Sequence, residues 1–141
     1  KMKLGTQAPL NKLLEPYGIH FNFDTNEGFR PHFAGCLRVI DPTLARAFGD
    51  EADIQYGRGA TLAVTKSARP AIVGAQVWAD EGNRANKQGA FMGDGAYTAP
   101  ERRFDCVLSA TATSGKGNVL VLGDTSPLQN PALPASHGRS L

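Results

Sequence analysis

The chain has 141 residues, 41% of them hydrophobic and 20% charged, with a net charge of +2. That composition argues against intrinsic disorder and suits one domain with a real core. The basic residues are scattered and never interleave with aromatics, so no nucleic-acid partner is expected. No window approaches the ~20 apolar residues of a membrane span.

Lys1-Met2-Lys3-Leu4-Gly5 leads straight into a helix signal with no signal peptide, as if the chain were a piece of something longer. Residues 8–17 predict a short amphipathic helix. Leu10, Leu13, Leu14 and Tyr17 follow the helical period, Pro9 suits the first turn and Gly18 the stop. Ile19, Phe21 and Phe23 alternate with polar residues and predict a half-buried strand. Residues 24–36 read as a loop through Asn26, Gly28, Pro31 and Gly35, and Cys36–Ile40 as a strand. Asp41 as cap, Pro42 at the first position and Gly49 as stop predict a second helix.

Residues 53–65 predict strands around a turn at Gly57-Arg58-Gly59, and Ala71–Trp78 predicts another strand. Residues 80–100 lack regular signals, and loops of that length are usually functional or disordered. Val107–Thr113 and Asn118–Leu122 predict a hairpin about Gly115-Lys116-Gly117. The four apolar residues of the return strand suggest burial on both faces, as in the interior of an α/β sheet. Residues 1–130 then form the domain, and 131–141 a flexible tail rich in Pro, Ser and Gly.

Asp124, Thr125 and Ser126 follow that strand, where α/β sheets bind ligands. A carboxylate, two hydroxyls and helix N–H groups would make a polar pocket there, although Asp124 could equally serve as a helix cap. Asp94 lies between Gly93 and Gly95, so its backbone can approach something closely, or it simply forms a turn. Trp78 beside Asp80 and Glu81 is a way to hold a sugar by stacking, or else a core Trp at a strand end. Adjacent residues on a strand face opposite sides, which weakens Asp80 and Glu81 as an acid/base pair.

His20, His32 and His137 share no metal-ligand spacing, and neither Cys36 nor Cys106 has a close partner for zinc. Both cysteines sit in apolar contexts and read as buried thiols, with a disulfide between them as the alternative. No cofactor, metal or catalytic residue is assigned.

Three stretches together carry a resemblance. They are Leu10–Phe21, Tyr56–Leu62, and Gly115–Asn130 with its Gly115-Lys116-Gly117 and Gly123-Asp124-Thr125/Ser126 elements. The set resembles the class I glutamine amidotransferase-like superfamily, in its non-catalytic branch with gliding-motility and intraflagellar-transport-like domains. The resemblance implies a flavodoxin-like α/β fold, a partly parallel sheet with flanking helices, of which this chain is a C-terminal portion. Asp124, Thr125 and Ser126 stand where the enzymes of that superfamily keep His and Glu, so their activity is not carried over.

The expected function is a non-catalytic ligand-binding or assembly domain with protein partners or parent-chain domains, and a carbohydrate ligand as an option. An extracytoplasmic or membrane-associated parent is favoured. The rivals are a hydrolase of glycans or amides using Asp94, Asp124 and Glu81 with Trp78, and a structural subunit ordered by neighbouring chains.

Overall fold

A computed structural model describes residues 8–29, 36–48, 56–65, 67–83, 85 and 93–128. The expected tail lies outside the described residues, as do His32 and His137.

Helix α1 covers Ala8–Leu14 and tightens into a 3-10 turn over Glu15–Tyr17. Pro16 has no N–H to continue the α-helical ladder. Gly18 stops the turn at φ +71° and donates its N–H to Glu15 O. Of the expected apolar face only Leu14 is buried and Tyr17 half-buried, while Leu10 and Leu13 stay exposed.

Strand β1, Ile19–Phe21, pairs antiparallel with β4, Leu62–Val64. Strand β2, Asp24–Gly28, pairs antiparallel with β6, Val77–Glu81. Strands β3 (Leu37–Val39), β5 (Arg69–Gly74), β7 (Cys106–Ser114) and β8 (Gly117–Leu122) form a four-stranded antiparallel sheet in the order β3-β5-β7-β8. Helix α2, Pro42–Phe48, follows β3 as expected. Asp41 Oδ1 caps it by accepting the N–H groups of Thr43 and Leu44 at 2.9 and 3.0 Å.

These pairings overturn the flavodoxin-like, partly parallel fold and the amidotransferase-like layout. Every ladder among the described residues is antiparallel. Parallel neighbours need a crossover of a dozen or more residues. Here β7 and β8 are joined by two residues, and each helix has only seven. The stretch 71–78, expected as one strand, is split by a turn at Ala75-Gln76 into β5 and β6, which enter different sheets. The stretch Asp24–Gly28, expected as loop, is a strand.

Strand β8 is the outer strand of its sheet, not an interior one. Val121 is buried and Val119 half-buried on the core side, while Leu120 on the other side is 45% exposed. The hairpin itself is as expected, with Gly115 at φ +58° as the first residue of a type II′ turn.

Strand β7 is the spine of the core. Its alternate residues Cys106, Leu108, Ala110 and Ala112 are all buried. Cys106 and Leu108 pack with Cys36, Leu37, Tyr56, Ile72, Val77 and Ala79. Ala110 and Ala112 pack with Leu14, Ile19, Leu62 and Val121. No helix of the described residues is long and apolar enough to cross a membrane.

Leu108 is fully buried and Leu13 is 66% exposed. Urea denaturation should show Leu108→Ala costing about 2–5 kcal/mol and Leu13→Ala less than about 0.5 kcal/mol. Equal losses would place the core elsewhere.

Candidate functional site

The densest polar cluster surrounds the segment Gly57–Thr61, which leads into β4. Its backbone is held largely by side chains. Gly57 N–H donates to Asp124 Oδ2 at 3.0 Å, Gly59 N–H to Asn26 Oδ1 at 2.6 Å, and Thr61 N–H to Asp24 Oδ1 at 2.7 Å. Asn26 also donates its amide to Gly57 O at 3.1 Å, and its own N–H to Gly59 O at 2.7 Å. Ala60 N–H donates to Gly123 O at 3.1 Å. Asn26 is fully buried and Asp24 nearly so. Both lie on one face of β2, two residues apart, so both reach the same neighbouring backbone.

The Thr61 hydroxyl is saturated. It donates to Asp24 Oδ2 at 2.5 Å and accepts from Asn22 Nδ2 and Arg102 Nη2, each at 2.9 Å. Burial raises the Asp24 carboxyl above its ordinary range. Asp80 pushes the same way, while the Thr61 hydrogen bonds and the Arg102 charge pull it back. Glu27 is also raised, first by burial and then by Asp80, against the pull of Arg58, whose Nε lies 2.8 Å from Glu27 Oε1. Tyr56 donates its hydroxyl to Leu108 O and accepts Gly123 N–H, and burial pushes its pKa up. Burial raises the Cys106 thiol too, against the Arg102 charge.

The residues expected to bind a ligand fall into two centres. Asp124 Oδ2 accepts Gly57 N–H and Ser126 N–H, so that oxygen is occupied in fixing a turn. Thr125 is exposed and accepts Leu128 N–H on its carbonyl. Ser126 begins a 3-10 turn through Leu128. A Cβ at Gly57 would stand 2.3 Å from Ser126 Oγ and 2.8 Å from Asp124 Oδ2, so a larger residue there would have to displace both side-chain ends.

Asp80 and Asp94 form the second centre. Asp80 is 2% exposed, and its two oxygens accept Asp94 N–H at 3.1 Å and Gly95 N–H at 2.6 Å. Gly93 lies at φ +127°, and a Cβ there would sit within 2.6 Å of all three Asp80 carboxylate atoms. Gly93 thus serves close approach to a carboxylate within the chain, whereas Gly95 takes φ +78° with open space around its Cβ position. Asp94 itself is exposed and closes a turn onto Ala96 N–H. No hydrogen bond of the described residues joins Asp94 to Asp124. Asp80 is buried and Glu81 exposed, so the two do not share a site.

Trp78 is 8% exposed, so its ring offers little face for a sugar. It anchors an aromatic patch instead. Phe29 packs on it at 4.7 Å between centroids and Tyr97 at 6.3 Å, and Phe104 lies 6.2 Å from Phe29. The Arg103 guanidinium stands over Tyr97 and Phe104 at 5.5 and 5.0 Å. Phe29 and Phe104 are each 46% exposed and Tyr97 36%. Among the described residues, Trp78 Nε1 is buried without a hydrogen-bond partner.

Sequence reasoning missed Asp24, Asn26 and Thr61. The available signal was the alternation Gly57, Gly59, Thr61, which leaves backbone on one side of the segment open to side chains. No group of three or more His, Cys, Asp or Glu among the described residues is placed to hold a metal. Comparison with family models, curated proteins and solved structures finds no match.

Two outcomes are expected. A carboxyl raised on folding contributes stability that is full below its unfolded pKa of about 3.9 and is lost as the pH rises through the folded value. Urea melts from about pH 3 to 8 should show wild type losing stability relative to Asp24→Asn as the pH rises, and parallel curves would contradict this. Cys36 and Cys106 are both fully buried. A thiol-reactive disulfide reagent should label both in urea and neither at an appreciable rate in the native protein.

Proposed function

We propose that this chain is a non-catalytic ligand-binding or assembly module of a larger protein or complex. The observation that carries the reading is how its carboxylates are used. Asp24 holds Thr61, Asp80 holds the Asp94-Gly95 backbone, Asp124 holds Gly57 and Ser126, and Glu27 meets Arg58. A general acid or base must reach the substrate proton within hydrogen-bond distance. Groups occupied in fixing backbone are poorly placed for that.

The exposed surface offers a different chemistry. Phe29, Tyr97 and Phe104 lie together with Arg103 stacked among them. Aromatic side chains with arginine supply much of the binding energy where proteins meet. A structural subunit is the limiting case, with this patch permanently covered by a neighbouring chain.

A hydrolase is the second reading, favoured by the raised carboxyls of Asp24 and Glu27. The two are three residues apart on β2 and so face opposite sides of the strand. The test is to incubate the protein with chromogenic glycosides and amides, beside Asp24→Asn and Glu27→Gln. The expected result is no turnover above buffer in any sample, with Asp24→Asn about 1–3 kcal/mol less stable. Wild-type turnover that disappears in a folded Asp24→Asn protein would overturn the proposal.

A further inference from the structure

Among the described residues, the outer edge of β8 is open. Gly123 N–H donates to Leu108 O, which makes Leu108 and Gly123 a hydrogen-bonded pair at the end of the β7–β8 ladder. Antiparallel pairs alternate, so Leu122, Leu120 and Asn118, opposite Ser109, Thr111 and Thr113, are non-hydrogen-bonded pairs. Their N–H and C=O groups point away from β7. No hydrogen bond of the described residues reaches those groups, and β8 has no further neighbour in its sheet.

Natural edge strands are usually blunted by a charge, a proline or a bulge. Strand β8 has none of these. Its sequence is Gly117-Asn118-Val119-Leu120-Val121-Leu122, its ladder with β7 runs without a register shift, and Leu120 is 45% exposed.

We propose that β8 pairs antiparallel with β8 of a second copy of this chain, about a twofold axis at Leu120. The outward groups recur every second residue, so they are self-complementary about that point. Leu120 faces its own copy and Asn118 faces Leu122 of the other chain. Each such pair exchanges both of its N–H···O bonds. No charge lies within the paired stretch to meet itself. Lys116, exposed in the hairpin turn, and Asp124, just past the end of β8, flank the paired stretch, so the basic end of each strand lies toward the acidic end of the other, twice by symmetry. Opposite charges at both ends and uncharged residues between them favour a second copy over an unrelated strand. The two four-stranded sheets become one of eight strands. The inference goes beyond the proposed function and does not depend on the aromatic patch.

The test is sedimentation equilibrium of the full chain from micromolar to millimolar concentration. Wild type is expected to dimerise. Leu120→Lys sets two ammonium groups across the twofold axis and should weaken association at least ~100-fold. Leu120 is exposed, so this variant keeps its fold, which circular dichroism checks. Asn118→Pro removes an outward donor without touching the β7–β8 ladder and should weaken it about tenfold. Lys116→Glu should weaken it too, most at low salt. A monomer at every concentration would overturn the proposal, as would a dimer whose dissociation constant is unchanged in Leu120→Lys and Asn118→Pro.

Discussion

Three side chains, Asp24, Asn26 and Asp124, give the segment Gly57–Thr61 the hydrogen bonds that a neighbouring strand gives elsewhere. The rest of the structure depends on that substitution. Strands β2 and β6 form one sheet, β1 and β4 a second, and β3, β5, β7 and β8 a third. The segment connects all three. Asp24 and Asn26 reach it from β2, it continues into β4, and Gly123 and Asp124 meet it just beyond β8. A buried polar group without a partner costs about 1–3 kcal/mol, so losing any one of these clamps leaves several groups unpaired together.

The clamp also explains the unusual composition of β2. Asp24-Thr25-Asn26-Glu27-Gly28 contains no apolar side chain, yet Asp24, Asn26 and Glu27 are buried. Burial is tolerated because each of the three has a partner. Asp24 is raised by desolvation and held by Thr61 and Arg102, and Glu27 is raised by desolvation and held by Arg58. These are groups that maintain a fold. Exposed apolar surface remains in the Phe29, Tyr97 and Phe104 rings and along the uncharged edge of β8.

What could be read from the sequence was local. Gly18 stopping the first helix, Asp41 capping the second and Gly115 turning the last hairpin each act within a few residues, and each has a distinctive side chain or backbone requirement. Strand partners are chosen across long separations, and nothing near Val119–Leu122 distinguishes an interior strand from an edge. An apolar run suited a parallel interior, yet here one face packs and the other is exposed. In the candidate site, only Gly93 of the two glycines flanking Asp94 makes a close approach. Its object, Asp80, was legible only as a neighbour of Trp78. Asp24 and Asn26 were hidden for a physical reason. Their side chains favour turns because they bond to backbone, and here they bond to the backbone of a different segment.

Amide hydrogen exchange at Gly57, Gly59 and Thr61 tests the clamp most directly. A segment held only by its chain neighbours exchanges like a loop, whereas one held by carboxylates and a buried amide exchanges with the core. The account predicts that these three amides are protected to the same degree as those of β7, and that Asn26→Ala releases Gly59 first. Loop-like exchange of all three in the wild-type protein would contradict it.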